Sequence, residues 1–149
     1  MSDTTVAAAV PWQGVAFSVL GRPAPQGSKK AYVVGGRAVV TDASKNLAPW
    51  RDSVAAAAVD AMNGHPPIDE AVDVVVTFDF IRPKTSKRPY PSVMPDVDKL
   101  LRGVFDALTA AGVLRDDSRV VNVTGRKRYR DFEGAEITVR LTAPETWTA

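Results

Sequence analysis

The chain of 149 residues contains no cysteine, one histidine and no long hydrophobic run. Without thiols, disulfide bonds and thiolate-bound metals are excluded. The histidine, His65, precedes two prolines, where a lone imidazole is a poor candidate for catalysis or metal binding. The longest small apolar run, at 54–59, falls far short of the roughly 20 residues of a membrane-spanning helix. The N-terminus lacks the basic start of a signal peptide, so we expect a soluble, cytoplasmic protein.

The hydrophobic pattern predicts one α+β domain over residues 1–149, with loosely ordered tails at 1–12 and 144–149. We expect a mixed sheet and two main helices. The predicted strands are 14–21, 71–81, 119–129 and 134–143, the predicted hairpin is 31–41, and the first predicted helix is 47–62.

Acidic residues gather at both ends of the second predicted helix. Asp96 and Asp98 stand at its start, and Asp116 and Asp117 follow Gly112, which ends it. A structural interpretation is available, because Asp is a favoured N-cap and acids in a first turn complement the helix dipole. Capping needs only one acid, however, and Asp98 adds a second.

The helix also has a polar stripe opposite its apolar face. At about 100° per residue, Asp98, Arg102 and Asp106 share one side, and Arg102 and Asp106 are spaced for an ion pair. If the following turn and strand bring Asp117 back toward the helix start, three carboxylates converge. Such a site without His or Cys suits Mg²⁺ or Mn²⁺ and not zinc. A hard cation among basic residues indicates phosphodiester hydrolysis.

Basic residues flank this acidic stretch in three clusters. The formal net charge is only +2 and the sequence pI is about 9.0, so the distribution carries more information than the total. Each cluster alone is typical of a solvated surface. Beside an acidic metal site they indicate contacts with the DNA backbone. The candidate DNA-binding residues are Lys29, Lys30, Lys84, Lys87, Arg88, Lys99, Arg126 and Arg128.

The stretch from Asp96 to Val121 resembles the signature of the RusA-type Holliday junction resolvases. That signature reads D-x-D-N-L-x-K, then F-D-A-L, then G, then D-D-x-x-V. Here it stands as DVDKLLR, FDAL, G and DDSRV. The earlier GRPAPQGSKK, followed by a hairpin and a helix, is similar to the opening of these proteins, so the resemblance covers most of the chain.

The resemblance implies an α+β homodimer that cuts branched DNA, chiefly four-way junctions, by paired symmetric nicks that need Mg²⁺. It implies a role in DNA recombination and repair, often in a phage or prophage. The catalytic acids of the family fall on Asp96, Asp98 and Asp117, with Asp116 as an adjacent metal ligand. The family's helix lysine, which acts at the phosphate, falls on Arg102.

Two departures keep alternatives open. The family's Asn after the second acid is Lys99 here, which puts a cation near the metal site or against DNA. The family's Lys is Arg102, which keeps the charge and can still clamp a phosphate. One alternative is a less selective nuclease for flaps and other branched DNA. A second is a non-catalytic protein that binds branched DNA, and a third is a structural role for the acids as caps and turns.

Overall fold

The structure, a computed structural model, describes residues 10–27, 30–41 and 45–145. The predicted tails at 1–12 and 144–149 therefore lie largely outside the described residues. The element order is β1 (Gly14–Leu20), β2 (Lys30–Val34), β3 (Arg37–Thr41), α1 (Leu47–Met62), β4 (Val72–Phe80), α2 (Val97–Ala110), a 3₁₀ turn (Asp117–Arg119), β5 (Val120–Tyr129) and β6 (Gly134–Leu141). The predicted α+β architecture is confirmed, since two helices accompany a mixed four-stranded sheet and a separate β2–β3 hairpin.

The main sheet has the strand order β1-β6-β4-β5, and β4 is its central hydrophobic strand. Val72, Val74, Val76 and Phe78 alternate along β4 and are fully buried, as the period-two pattern predicts. β4 pairs with β6 antiparallel and with β5 parallel. A parallel pair needs a crossover connection, and α2 provides it. As a result α2 begins near the end of β4 and finishes near the start of β5.

The apolar face of α2 packs on the sheet. Leu100, Val104 and Leu108, spaced four residues apart, are fully buried, which confirms the predicted stripe. Gly125 on β5 lies under the helix, and a Cβ there would come within 2.7 Å of the Leu101 Cδ1 atom. Gly112 has a φ of +77°, a conformation that suits glycine and ends the helix as predicted.

The strand β5 is an edge of the main sheet within the described residues. Its first half is exposed, and the side chains of Val121 and Val123 are 56% and 49% exposed. Edge strands of this kind present unpaired backbone groups that can pair with another chain. No helix among the described residues has the length and apolar character to cross a membrane.

Candidate active site

Asp96 and Asp98 stand at the start of α2. Asp96 occupies the N-cap position with an extended backbone, and its carbonyl accepts a hydrogen bond from the Leu100 N–H at 3.1 Å. Its carboxylate makes no cap hydrogen bond. Both acids are exposed. The capping explanation is therefore wrong for the Asp96 side chain, whose oxygens do not serve the helix.

Lys99 lies beside the first of these acids. Its Nζ is 3.7 Å from Asp96 Oδ2, and both side chains are about half exposed. The Lys99 carbonyl accepts a hydrogen bond from the Gln26 N–H at 3.0 Å, so the proline-rich N-terminal segment runs beside the first turn of α2. The departure from the family pattern at position 99 therefore places an ammonium group against a candidate metal ligand.

Asp117 lies at the opposite end of α2. Its Oδ1 accepts a hydrogen bond from the hydroxyl of Thr109, in the last turn of the helix. With a rise of 1.5 Å per residue, Asp98 and Thr109 are about 16 Å apart along the axis. Within the described ranges, no three Asp, Glu or His side chains are grouped closely enough to hold a metal ion. The return of Asp117 toward the helix start, which the sequence permits, does not occur within one chain, because the parallel β4–β5 pairing separates the two ends.

Asp116 has a local structural role. It is the N-cap of the 3₁₀ turn, and its Oδ2 accepts hydrogen bonds from both the hydroxyl and the backbone N–H of Ser118. The Ser118 hydroxyl first, and then its N–H, lower the pKa of Asp116 below its usual value. This acid therefore matches the structural interpretation, and its Oδ2 is already engaged.

Arg102 faces outward one turn beyond Asp98. The expected Arg102–Asp106 pair does not form, since Asp106 Oδ2 instead lies 3.8 Å from Arg51 NH1 on α1. Among the described residues Arg102 has no acidic partner within ion-pair distance. Its charge is available on the same exposed side as Asp98.

The candidate DNA-binding residues are in different environments. Lys84, Lys87 and Arg88 are exposed on the loop between β4 and α2, and Arg126 is exposed on β5. Lys29 lies outside the described residues, and so does the side chain of Lys30, although its backbone begins β2. The loop joins the end of β4 to Asp96, so its cations lie on the chain that leads directly to the acidic start of α2.

Arg128 differs from the other candidates because a buried carboxylate holds it. Its Nε donates to Asp79 Oδ1 at 2.8 Å, and the Asp79 side chain is 1% exposed. The guanidinium also lies 3.5 Å from Glu136. The hydrogen bond to Asp79 is the main cause of the raised pKa of Arg128. This charge is compensated inside the protein, which favours a structural role over the predicted DNA contact.

Lys127 is a residue that the sequence analysis left out of the candidate site. Its Nζ donates to the carbonyls of Val93 at 2.6 Å and Pro95 at 2.8 Å. These two bonds attach the end of β5 to the segment that delivers Asp96. Its place in a run of four basic residues among five positions, 126–130, was the only sequence signal, and that signal indicated solvent or DNA.

The family model described as endodeoxyribonuclease RusA matches residues 21–140. The match spans the proline-rich segment, both helices and the acidic residues at both ends of α2. No curated protein matches the chain.

Proposed function

Because the chain belongs to the endodeoxyribonuclease RusA family, we propose that it is a Mg²⁺-dependent nuclease that resolves four-way DNA junctions as a homodimer. The observation that carries the proposal is the position of its acids. Asp96 and Asp98 are exposed at one end of α2, and Asp117 is exposed at the other. Each chain therefore carries two partial carboxylate sites, one at each end of α2.

The carboxylates at the two ends of α2 in one chain cannot bind the same metal ion. Mg²⁺ holds its oxygen ligands at about 2.1 Å, so the carboxylates that share an ion must lie within a few ångströms of one another. The separation of about 16 Å along α2 is several times too large. We therefore infer that Asp96 and Asp98 of one subunit act with Asp117 of the partner subunit.

A two-fold dimer could bring the two ends of α2 from different subunits together. In a two-fold dimer with antiparallel elements, the beginning of an element in one subunit faces the end of the same element in the other. β5 is suited to this contact, because it is an edge strand and Val121 and Val123 are exposed on it. It starts three residues after Asp117 and ends near the loop before Asp96, where Lys127 is attached. Antiparallel pairing of two β5 edges would bring these opposite ends together, twice.

The residues fit a hard cation, because every proposed donor is a carboxylate oxygen and none of the three is buried. A bound Mg²⁺ would supply a nucleophilic water at neutral pH and offset the charge on the phosphate. Asp96, Asp98 and Asp117 would hold the ion, and the exposed Arg102 would clamp a non-bridging phosphate oxygen. Lys99 competes with the cation at Asp96, so we expect it to weaken metal affinity without preventing binding.

Backbone contacts from the basic loop would supply affinity without reading sequence. Lys84, Lys87 and Arg88 follow β4 directly, and Arg126 lies on β5. In the dimer these groups recur on both sides of the two-fold axis. The spacing of two such sites would then select a branched substrate by its shape, which supports resolution over cleavage of linear DNA.

The test is cleavage of an end-labelled four-way junction in Mg²⁺ and in EDTA, beside a linear duplex of the same sequence. Metal-dependent paired nicks in the junction alone are expected, and Asp98→Asn should abolish them. Equal cutting of flaps and forks would instead establish the less selective nuclease. Tight junction binding without cutting in Mg²⁺ or Mn²⁺ would establish the non-catalytic alternative and refute the proposal.

A further inference from the structure

A small cavity lies beside the acidic start of α2. It has a volume of about 90 Å³ and is lined by the end of β4, the end of β5 and the loop that leads to Asp96. Phe80, Ile81, Val93 and Tyr129 form apolar and aromatic parts of its wall. Pro95, which immediately precedes Asp96, also lines it. The cavity therefore adjoins the residue that begins the candidate metal site.

The cavity combines apolar and aromatic side chains with cationic ones. Lys127 lines the cavity and donates to two carbonyls, and in the part of the chain that the structure describes no carboxylate lies within ion-pair distance of its Nζ. Arg22 also lines the cavity, with its NH1 3.2 Å from Glu133 Oε2. Arg82, which is not a lining residue, lies over the Tyr129 ring, 5.0 Å from its centroid. Apolar walls with aromatic groups and cations suit a planar, uncharged heterocycle whose neighbouring group is anionic. That description fits a nucleobase attached to its phosphate backbone.

The volume of the cavity limits which part of a nucleotide can enter it. Sites for drug-sized molecules have volumes of about 300–1,000 Å³, several times larger than this cavity. A whole nucleotide with its sugar and phosphate would therefore not enter. A single base could enter while its sugar and phosphate stayed outside, near Asp96, which directly follows the lining residue Pro95.

The surrounding loop has exposed apolar side chains among its cations. Ile81 is 52% exposed, Tyr90 63%, Val93 50% and Met94 83%. Interleaved apolar and basic groups are typical of surfaces that bind unstacked nucleic acid, because bases stack on apolar groups while cations follow the phosphates. Three of these four side chains, Ile81, Val93 and Met94, line the cavity together, which a solvated basic loop alone would not need.

We propose that this cavity receives one unstacked nucleobase flanking the phosphate that is cut. The inference rests on the proposed function, since it assigns a subsite to the same nuclease site. A base inside a stacked duplex cannot enter, and extruding it costs a few kcal/mol, least where the base is already unpaired. The cavity therefore adds a second source of selectivity for branch points, besides the spacing of two sites in a dimer.

The test uses 2-aminopurine, a fluorescent base that brightens when it is unstacked. It replaces the base beside the phosphate that the cleavage assay maps, and in a control junction it stands well away from the branch point. Binding is followed in EDTA, so that no cleavage occurs, and acrylamide reports whether the base is accessible to solvent. With wild-type protein we expect brightening together with protection from acrylamide at the flanking position only.

Val93→Trp is the matching variant, because it adds bulk at a half-exposed wall position without disturbing the core. Val59→Trp, at an exposed position on α1 that does not line the cavity, is its control. Val93→Trp should remove the acrylamide protection and weaken junction binding at least about fivefold, the effect of losing one stacked base. Val59→Trp should behave as wild type. Ile81→Ala, which removes part of the wall, should also reduce the protection.

Three results would overturn the inference: no brightening at the flanking position, brightening without protection, or Val93→Trp indistinguishable from Val59→Trp. Each is separable from failure of the proposed function. If the wild-type protein cuts junctions in Mg²⁺ while the base stays stacked, only the base subsite is lost. If it cuts no junction in Mg²⁺ or Mn²⁺, the nuclease proposal fails whatever the fluorescence shows.

Discussion

Replacing Arg128 with Met should destabilise the protein strongly and affect DNA binding little. The substitution leaves the Asp79 carboxylate, which is 1% exposed, without its ionic partner. Removing one member of a buried pair costs about 3–5 kcal/mol, mainly because the remaining charge stays desolvated. Since the Arg128 side chain is 27% exposed and water reaches the guanidinium, we expect the lower end, about 3 kcal/mol.

Urea unfolding measures this change directly. With an m-value of about 2 kcal/mol/M, the midpoint should fall by about 1.5 M. Protein concentration must be held constant, because the proposed dimerisation would stabilise the folded state by mass action. The double variant Asp79→Leu/Arg128→Met removes both charges and should recover most of the lost stability.

Measurements of junction affinity distinguish a structural role of Arg128 from a direct contact with DNA. The double variant should keep junction affinity close to that of wild type. Arg126→Met is the matched control, because Arg126 is an exposed neighbour on the same strand. It should leave the urea midpoint unchanged and reduce the salt dependence of binding by about one unit of slope. Arg128 does not have this structural role if Arg128→Met unfolds like wild type, or if the double variant loses as much affinity as Arg126→Met.

Three further predictions concern other positions. Lys99→Asn removes the ammonium group beside Asp96, and since exposed pairs contribute at most about 1 kcal/mol, the Mg²⁺ concentration for half-maximal cleavage should fall by up to about fivefold; an increase would contradict this. Lys127→Met removes two hydrogen bonds that hold the loop before α2, and the Mg²⁺ concentration for half-maximal cleavage should therefore rise. An unchanged concentration would show that the loop does not depend on these bonds. The hydrogen bond from Asn122 is the main cause that lowers the pKa of Asp73, so its carboxylate stabilises the fold above pH about 4 and loses that effect as pH falls through the lowered value. The destabilisation by Asp73→Asn, measured by urea unfolding, should therefore be present at pH 7 and shrink at pH 3; an equal loss at both pH values would exclude this linkage.

Strands and helices that are defined by the spacing of their own hydrophobic residues could be predicted from the sequence. The alternation of Val72, Val74, Val76 and Phe78 predicts β4, and the four-residue spacing of Leu100, Val104 and Leu108 predicts the buried face of α2. These patterns depend on side chains within one element. They required no knowledge of how the strands pair.

The arrangement of the candidate site could not be predicted in the same way. Whether Asp117 returns to the start of α2 depends on β5 lying parallel to β4, which is decided by hydrogen bonds between distant segments. The partner of Arg128 is 49 residues away in the sequence, so its basic run gave no sign of an ion pair. Lys127 was missed because its bonds are to backbone carbonyls, which residue identity does not reveal.

The most direct test of the central claim is to mix two inactive variants. Asp98→Asn and Asp117→Asn are co-expressed with different tags, and the mixed dimer is purified and given a labelled junction in Mg²⁺. If each site combines Asp96 and Asp98 of one subunit with Asp117 of the partner subunit, the mixed dimer has one site with both changes and one intact site. It should therefore nick one strand per junction, while each variant alone makes no cut. If each chain forms its own site, both sites of the mixed dimer carry a substitution, and the absence of any nicking would contradict the account.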